Sequence, residues 1–211
     1  MTVSLGLLLT PGAGADRDQP ALVAIDERAR AAGAEVVRMD FPYRKAGRRA
    51  PDRPPVLIRS IVEEAESLAR RNRRLVLGGR SMGGRMCSMA VAEGLPAAGL
   101  LLISYPLHPP GRPESRRTEH FPNLHVPCLF VSGTRDAFGT PSELEAATAA
   151  IPGPVTHHWL DGKDHGLRGT ESAVAQVVMD WLAETGLGSA LSRTRRAARR
   201  TPRSPAPGAP P

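Results

Sequence analysis

Leu75-Val76-Leu77-Gly78-Gly79-Arg80-Ser81-Met82-Gly83-Gly84-Arg85 changes character half-way along. Its first half is a short apolar run of the kind that fills a buried strand. Its second half opens a stretch to about Glu93 that reads as a helix. Between them lies Gly79-Arg80-Ser81-Met82-Gly83, a G-x-S-x-G pattern in the strand-to-helix context the pattern requires. The spacing has a steric reason. A strand turning straight into a helix holds the central serine in a strained backbone conformation, at a cost on the order of 1–3 kcal/mol. The residues two before and two after must then be nearly free of side chain for the turn to close, and both are glycine. The helix N-terminus also places a partial positive charge beside the hydroxyl, favouring negative charge that develops there. Two other Gly-rich turns fail here. A phosphate-binding loop needs Lys-Ser or Lys-Thr where Arg85-Met86 stands, and a dinucleotide fingerprint begun at Gly12 meets Arg17 in place of its third glycine.

Outward from the elbow, short apolar runs alternate with amphipathic ones, which implies a mostly parallel sheet of about six strands with helices on both faces. The expected strands are 3–9, 35–39, 75–78, 100–104, 128–132 and 155–160. Over 54–71, Ile58, Ile61, Val62, Ala65, Leu68 and Ala69 recur at three- and four-residue steps as one apolar stripe. Thr140-Pro141-Ser142-Glu143 reads as a capping box with proline at the first helical position. Val174, Val177, Val178, Trp181 and Leu182 mark a last helix, with Gly186 as its stop.

The 211 residues suffice for one domain with a sizeable core, expected over 1–186. From 187 to 211 the chain is Arg, Ala, Pro, Ser and Thr with little that is apolar, too little to offset the entropy of ordering it, so a disordered tail is expected. Of the net charge of +7, six arginines and no acid fall between Thr185 and Pro211, which leaves +1 for everything before. The basic character therefore belongs to the tail, and a nucleic-acid or other anionic partner would be reached through it. The first apolar run, followed by small residues, imitates a secretion signal. No cation precedes it, and it breaks at Thr10-Pro11-Gly12, so a buried first strand is expected instead. No apolar run approaches the ~20 residues that cross a bilayer. Cys87 and Cys128 fall in an expected helix and strand with no metal-ligand spacing around them. They read as core thiols of a reducing compartment, hence a cytoplasmic protein with no metal or cofactor.

A serine nucleophile needs a base, and the base needs an orienting carboxylate. Asp136 follows the expected strand 128–132 in Gly133-Thr134-Arg135-Asp136, and His165 follows the last strand in Asp161-Gly162-Lys163-Asp164-His165-Gly166. The order Ser81, Asp136, His165 is the one a serine elbow in an α/β sheet uses. Asp161 and Asp164 compete with Asp136 for the orienting role. The tetrahedral intermediate of acyl transfer also needs two N–H donors. The expected pair is the backbone N–H of Met82, directly after the serine, and that of Ala13 in the loop Pro11-Gly12-Ala13-Gly14.

With these residues in view, the chain resembles the compact α/β-hydrolase-like family of the non-specific-lethal complex third subunit, its testis-expressed relatives and many bacterial members. More distantly it is similar to dienelactone hydrolases. The segments that carry the resemblance are 8–14, Asp40-Phe41-Pro42-Tyr43-Arg44, 78–85, Tyr105-Pro106-Leu107-His108-Pro109-Pro110-Gly111 and 133–136, so it spans about residues 3–184. It implies a minimal α/β-hydrolase fold without the first two strands of the full fold and without a separate lid. Pro11 stands where family members usually carry histidine, and the basic tail is outside the family pattern. Dienelactone hydrolases use cysteine as nucleophile, so their substrate does not transfer.

Ligands of open α/β sheets bind beyond the carboxyl ends of the strands. Loops 40–53 and 105–120 leave those ends, and Tyr43, Tyr105 and His108 are the expected lining of a small-molecule pocket. Arg44, Lys45, Arg48, Arg49, Arg112, Arg116 and Arg117 on the same loops would suit an anionic ester. The expected activity is hydrolysis of a carboxylic ester, thioester or lactone through an acyl-enzyme. The alternative is a catalytically silent hydrolase fold used for binding or assembly.

Overall fold

The computed structural model describes residues 4–190. Residue 3 of the expected first strand and segment 191–211 of the expected tail lie outside the described residues. The strands are β1 (Leu5–Thr10), β2 (Glu35–Arg38), β3 (Arg74–Arg80), β4 (Gly99–Ile103), β5 (Cys128–Gly133) and β6 (Val155–Leu160). They form a single all-parallel sheet in the order β2-β1-β3-β4-β5-β6. The helices are α1 (Pro20–Ala31), α2 (Pro42–Lys45), α3 (Pro54–Ala69), α4 (Met82–Ala92), α5 (Pro141–Thr148) and α6 (Glu171–Glu184).

Alternation along the strands divides the core in two. Leu8 of β1, Leu77 of β3, Leu100 and Leu102 of β4, and Phe130 of β5 face α3, α4 and α5. Leu7 and Leu9, Val76, Leu101 and Ile103, and Leu129 and Val131 face α1 and α6. Nearly continuous apolar strands are what a sheet buried on both faces demands. The helix boundaries follow local chemistry. Proline opens α1, α2, α3 and α5, where its missing N–H would be unbonded in any case. The capping box of α5 is formed: the Thr140 N–H donates to Glu143 Oε2 at 2.9 Å, and Thr140 Oγ1 accepts from the Glu143 N–H at 3.4 Å. Gly186, at φ 68°, takes the left-handed conformation that ends α6.

Packing continues past Gly186. Leu187–Ala190 form a 3-10 turn, and Leu187 is buried beneath Gly99. Leu187 therefore belongs to the core rather than to a tail. No helix among the described residues is long and apolar enough to cross a membrane. Cys87 and Cys128 are free and buried, and burial pushes both thiols up to about 12.

After β4 the chain makes a long excursion, held by several hydrogen bonds, among them two from side chains. The Tyr105 hydroxyl donates to the Arg117 carbonyl at 2.6 Å, and His120 Nε2 contacts Ser88 Oγ of α4 at 2.8 Å. Ser88 Oγ–H already donates to the Arg85 carbonyl, so Nε2 is the donor to Ser88. Burial, helped by the Arg85 charge, pushes His120 down to about 4. An unfolded chain takes up this proton near pH 6.5, while the folded one does not. His120 therefore makes stability fall as pH drops from about 6.5 to about 4. Urea unfolding of wild type and His120→Gln across that window is expected to show a smaller loss for the variant; parallel curves would contradict the assignment.

Candidate active site

The strand order reverses direction between β1 and β3, the switch point at which open α/β sheets form their crevice. The loops leaving these two strands are Pro11-Gly12-Ala13-Gly14 and the elbow at Ser81. Ser81 has φ 50° and ψ −117°, a conformation unfavourable for any side chain. It is held there by its own N–H, which donates to the Ile103 carbonyl at 2.8 Å. The flanking glycines explain why nothing larger would do. A Cβ on Gly79 would lie 2.1 Å from the Thr10 carbonyl oxygen, and one on Gly83 would lie 2.5 Å from that of Pro11. Backbone closure of this turn thus requires hydrogen at both positions.

Three side chains from three loops meet above it. Asp136, almost wholly buried, can only accept as a carboxylate, so His165 Nδ1–H donates to it, at 2.8 Å to Oδ2 and 3.0 Å to Oδ1. His165 Nε2 is then the acceptor, and the Ser81 hydroxyl lies 2.9 Å from it. Asp136 Oδ1 also accepts from the Phe138 N–H at 2.8 Å, and the Phe138 ring covers the imidazole with centroids 4.1 Å apart. The loops carrying the acid and the imidazole are joined by backbone: the Arg135 N–H donates to the Lys163 carbonyl at 2.9 Å, and that of Thr134 to Leu160 at 3.1 Å. Asp161 and Asp164, the competing carboxylates, are exposed and turn elsewhere. Asp161 accepts from Thr134 Oγ1, and Asp164 from the Gly166 N–H.

The cavity above Ser81 holds about 430 Å³ and is lined by Gly12, Ala13, Arg80, Ser81, Met82, Arg85, Pro106, Arg117, Phe138 and His165. Met82 and Ala13 therefore stand in the same wall as the serine, Met82 as the first residue of α4 with an N–H that the helix itself cannot bond. The shape of the Ala13 loop is set from behind: the Gly12 N–H donates to Gln19 Oε1 at 3.0 Å and the Gly14 N–H to the Tyr43 hydroxyl at 3.3 Å.

Tyr43, Tyr105 and His108 do not line this cavity, and the expectation that they would is corrected. All three are buried. Tyr43 braces the Ala13 loop, and Tyr105 packs on Phe121 and Phe130 while holding the Arg117 carbonyl. His108 Nδ1 bonds the Pro109 carbonyl, with Nε2 turned toward Glu143 at 3.6 Å. Aromatic residues next to a strand end can point inward or outward, and these point inward. The lining residues that sequence reasoning missed are Arg80, Arg85, Pro106 and Phe138. Arg85 had a usable signal: four residues past Ser81, it sits one helical turn above it on the same face. Phe138 had none. Among the described residues no cluster of His, Cys, Asp and Glu could hold a metal ion.

The model of the alpha/beta hydrolase domain family matches residues 4–183. The chain belongs to that family. Its structure is similar to a metagenome-derived lipolytic enzyme of the LipS and LipT pair, at 14% identity and a TM-score of 0.72, over 85% of this chain and 94% of the other. It is similar to Est1E from Butyrivibrio proteoclasticus, at 14% identity and a TM-score of 0.71, over 88% and 89% of the two chains. It is also similar to the dienelactone hydrolase of Anabaena variabilis, at 19% identity and a TM-score of 0.68, over 86% of each. At such identities the likeness speaks for the fold. Within it, the closed elbow is a steric requirement: Gly83→Ala is expected to lose about 1–3 kcal/mol of stability in urea unfolding, as overpacking does. Wild-type stability in that variant would mean the turn can open freely.

Proposed function

We propose that this chain is a serine hydrolase of a small ester-like substrate (a carboxylic ester, thioester or lactone), with Ser81 as nucleophile, His165 as general base and acid, and Asp136 as the orienting carboxylate. The observation that carries the reading is the unbroken line of hydrogen bonds from Ser81 Oγ through His165 to Asp136, at 2.9 and 2.8 Å. Serine oxygen is a weak nucleophile until a base removes its proton. Here Nε2 takes the proton as Oγ attacks the carbonyl carbon. The bond from that carbon to the leaving oxygen or sulfur then breaks, and Nε2–H returns the proton to the leaving group. Water, deprotonated by the same nitrogen, cleaves the acyl-enzyme and frees Ser81. Asp136 holds the Nδ1–H tautomer and stabilises the imidazolium of both steps. The N–H groups of Met82 and Ala13 are the donors proposed for the oxyanion, the feature whose loss typically costs about 2.7–4 kcal/mol per donor.

Two further readings accompany this one. The chain is grouped with the compact hydrolase-like family named above on the strength of the segments it shares, and it is assigned to the cytoplasm on its two free core thiols. A fluorophosphonate probe and a short p-nitrophenyl ester test the chemistry together. Wild type is expected to label and to turn over, Ser81→Ala and His165→Ala to do neither, and Asp136→Asn to label slowly with kcat reduced by about 10⁴-fold. A folded wild type that neither labels nor turns over would instead support the catalytically silent binding module.

A further inference from the structure

The charge around the cavity is one-sided. Its ten lining residues include three arginines, Arg80, Arg85 and Arg117, and no carboxylate. None of the three makes a salt bridge among the described residues. The other cations expected near the rim are accounted for differently. Arg44 pairs with Asp16, Lys45 with Glu64 and Arg48 with Asp52, while Arg49, Arg112 and Arg116 are exposed to water and outside the cavity. Arg80 is also occupied, because its guanidinium donates to the His165 carbonyl and feels the charges of Asp136 and Asp164.

That leaves Arg85 and Arg117. Each is held in place. The Arg85 N–H donates to the Ser81 carbonyl at 3.1 Å, one turn along α4, and a helical side chain leans toward the N-terminus of its helix, here over the serine. Its Nε is buried with no hydrogen-bond partner. Arg117 is fixed on both sides of its peptide: its N–H donates to the Leu107 carbonyl at 2.9 Å, and its carbonyl accepts from Tyr105. Its guanidinium retains one weak bond, at 3.5 Å to the Pro106 carbonyl. Burial and then the Arg85 charge both weaken its hold on a proton. Glu119, whose charge reaches His120 and Tyr105, is exposed and pairs with neither arginine. Two partly buried guanidiniums that repel each other, with donors unspent, are costly unless an anion joins them.

We propose that Arg85 and Arg117 form a carboxylate-binding subsite beside Ser81, so that the substrate is an ester carrying a free carboxylate a few atoms from the scissile carbonyl. This rests on the serine-hydrolase reading above. The planar guanidinium fork matches a carboxylate through paired hydrogen bonds, and the cavity, about 430 Å³, accepts a small acid and its leaving group.

Two matched substrate pairs test it: the p-nitrophenyl monoester of glutaric acid against p-nitrophenyl pentanoate, and the butyrate of 4-hydroxybenzoate against phenyl butyrate. The charged member of at least one pair is expected to have kcat/KM about tenfold or more above its neutral partner, mostly through KM, as one charged hydrogen bond supplies. That ratio is expected to collapse toward one in Arg85→Gln and Arg117→Gln, to survive partly in Arg117→Lys, and to persist in the exposed-loop control Arg112→Gln/Arg116→Gln. Glutarate, compared with inorganic phosphate, is expected to protect Ser81 from the fluorophosphonate probe in wild type only. No charge preference in either pair, or one that survives loss of both arginines, overturns the subsite while labelling still supports the hydrolase. Protection by phosphate alone overturns the carboxylate assignment. An enzyme that neither labels nor turns over any ester fails at the earlier reading, and the subsite falls with it.

Discussion

Where β1 and β3 end side by side, backbone meets backbone with no room for a side chain. Gly79 of β3 sits against Thr10, and Gly83, two past Ser81, sits against Pro11, closely enough that a methyl group on either would penetrate a carbonyl oxygen. Everything above the sheet depends on this contact. It lets α4 start at the mouth of the crevice, puts the Met82 N–H and the Ala13 loop in one wall, and forces Ser81 into a positive φ. The strain is on the order of 1–3 kcal/mol. It persists because the strand pairing on both sides of β3, and the bond from the Ser81 N–H to Ile103, leave the backbone nowhere else to go.

The His165 side of the site is built on the opposite plan. Two loops are bonded to each other there, with Arg135 held by Lys163 and Thr134 by Leu160. Gly133 makes this possible, since a Cβ there would lie 2.1 Å from the Lys163 carbonyl. Arg80 adds a tie from the elbow to the His165 carbonyl. Close backbone approach dominates the placing of the serine, and hydrogen bonds between loops dominate the placing of its partners.

Much of this is legible in the sequence. The elbow glycines carry their own geometric reason, the strands are apolar throughout because both faces are covered, and the order of serine, acid and histidine narrows their loops. What could not be read is which way a loop side chain turns. Tyr43, Tyr105 and His108 stand next to strand ends as a pocket residue would, yet their polar atoms serve the Gly14 N–H, the Arg117 carbonyl and the Pro109 carbonyl. The arginines are equally undecidable from sequence, because an aspartate from another loop reaches Arg44 while Arg117 is left without one in the cavity wall. Leu187, the first residue of the expected tail, is set apart from it for a similar reason: its burial under Gly99 depends on a contact with β4 far back in the chain.

The bonds that unite the site span long loops of chain. Ser81 and His165 are separated by 84 positions, and Asp136 and His165 by 29. β6, which delivers the histidine, is the last strand in sequence and lies at the edge of the sheet. Contacts this distant form late, after their loop-closure entropy has been met. A polypeptide emerging from the ribosome can therefore complete the elbow, and bury much of the core around it, while Ser81 still has no imidazole beside it. Until the edge strand docks, Ser81 and the His165 imidazole stay apart, so the pairing on which the proposed chemistry rests is among the last contacts the fold completes.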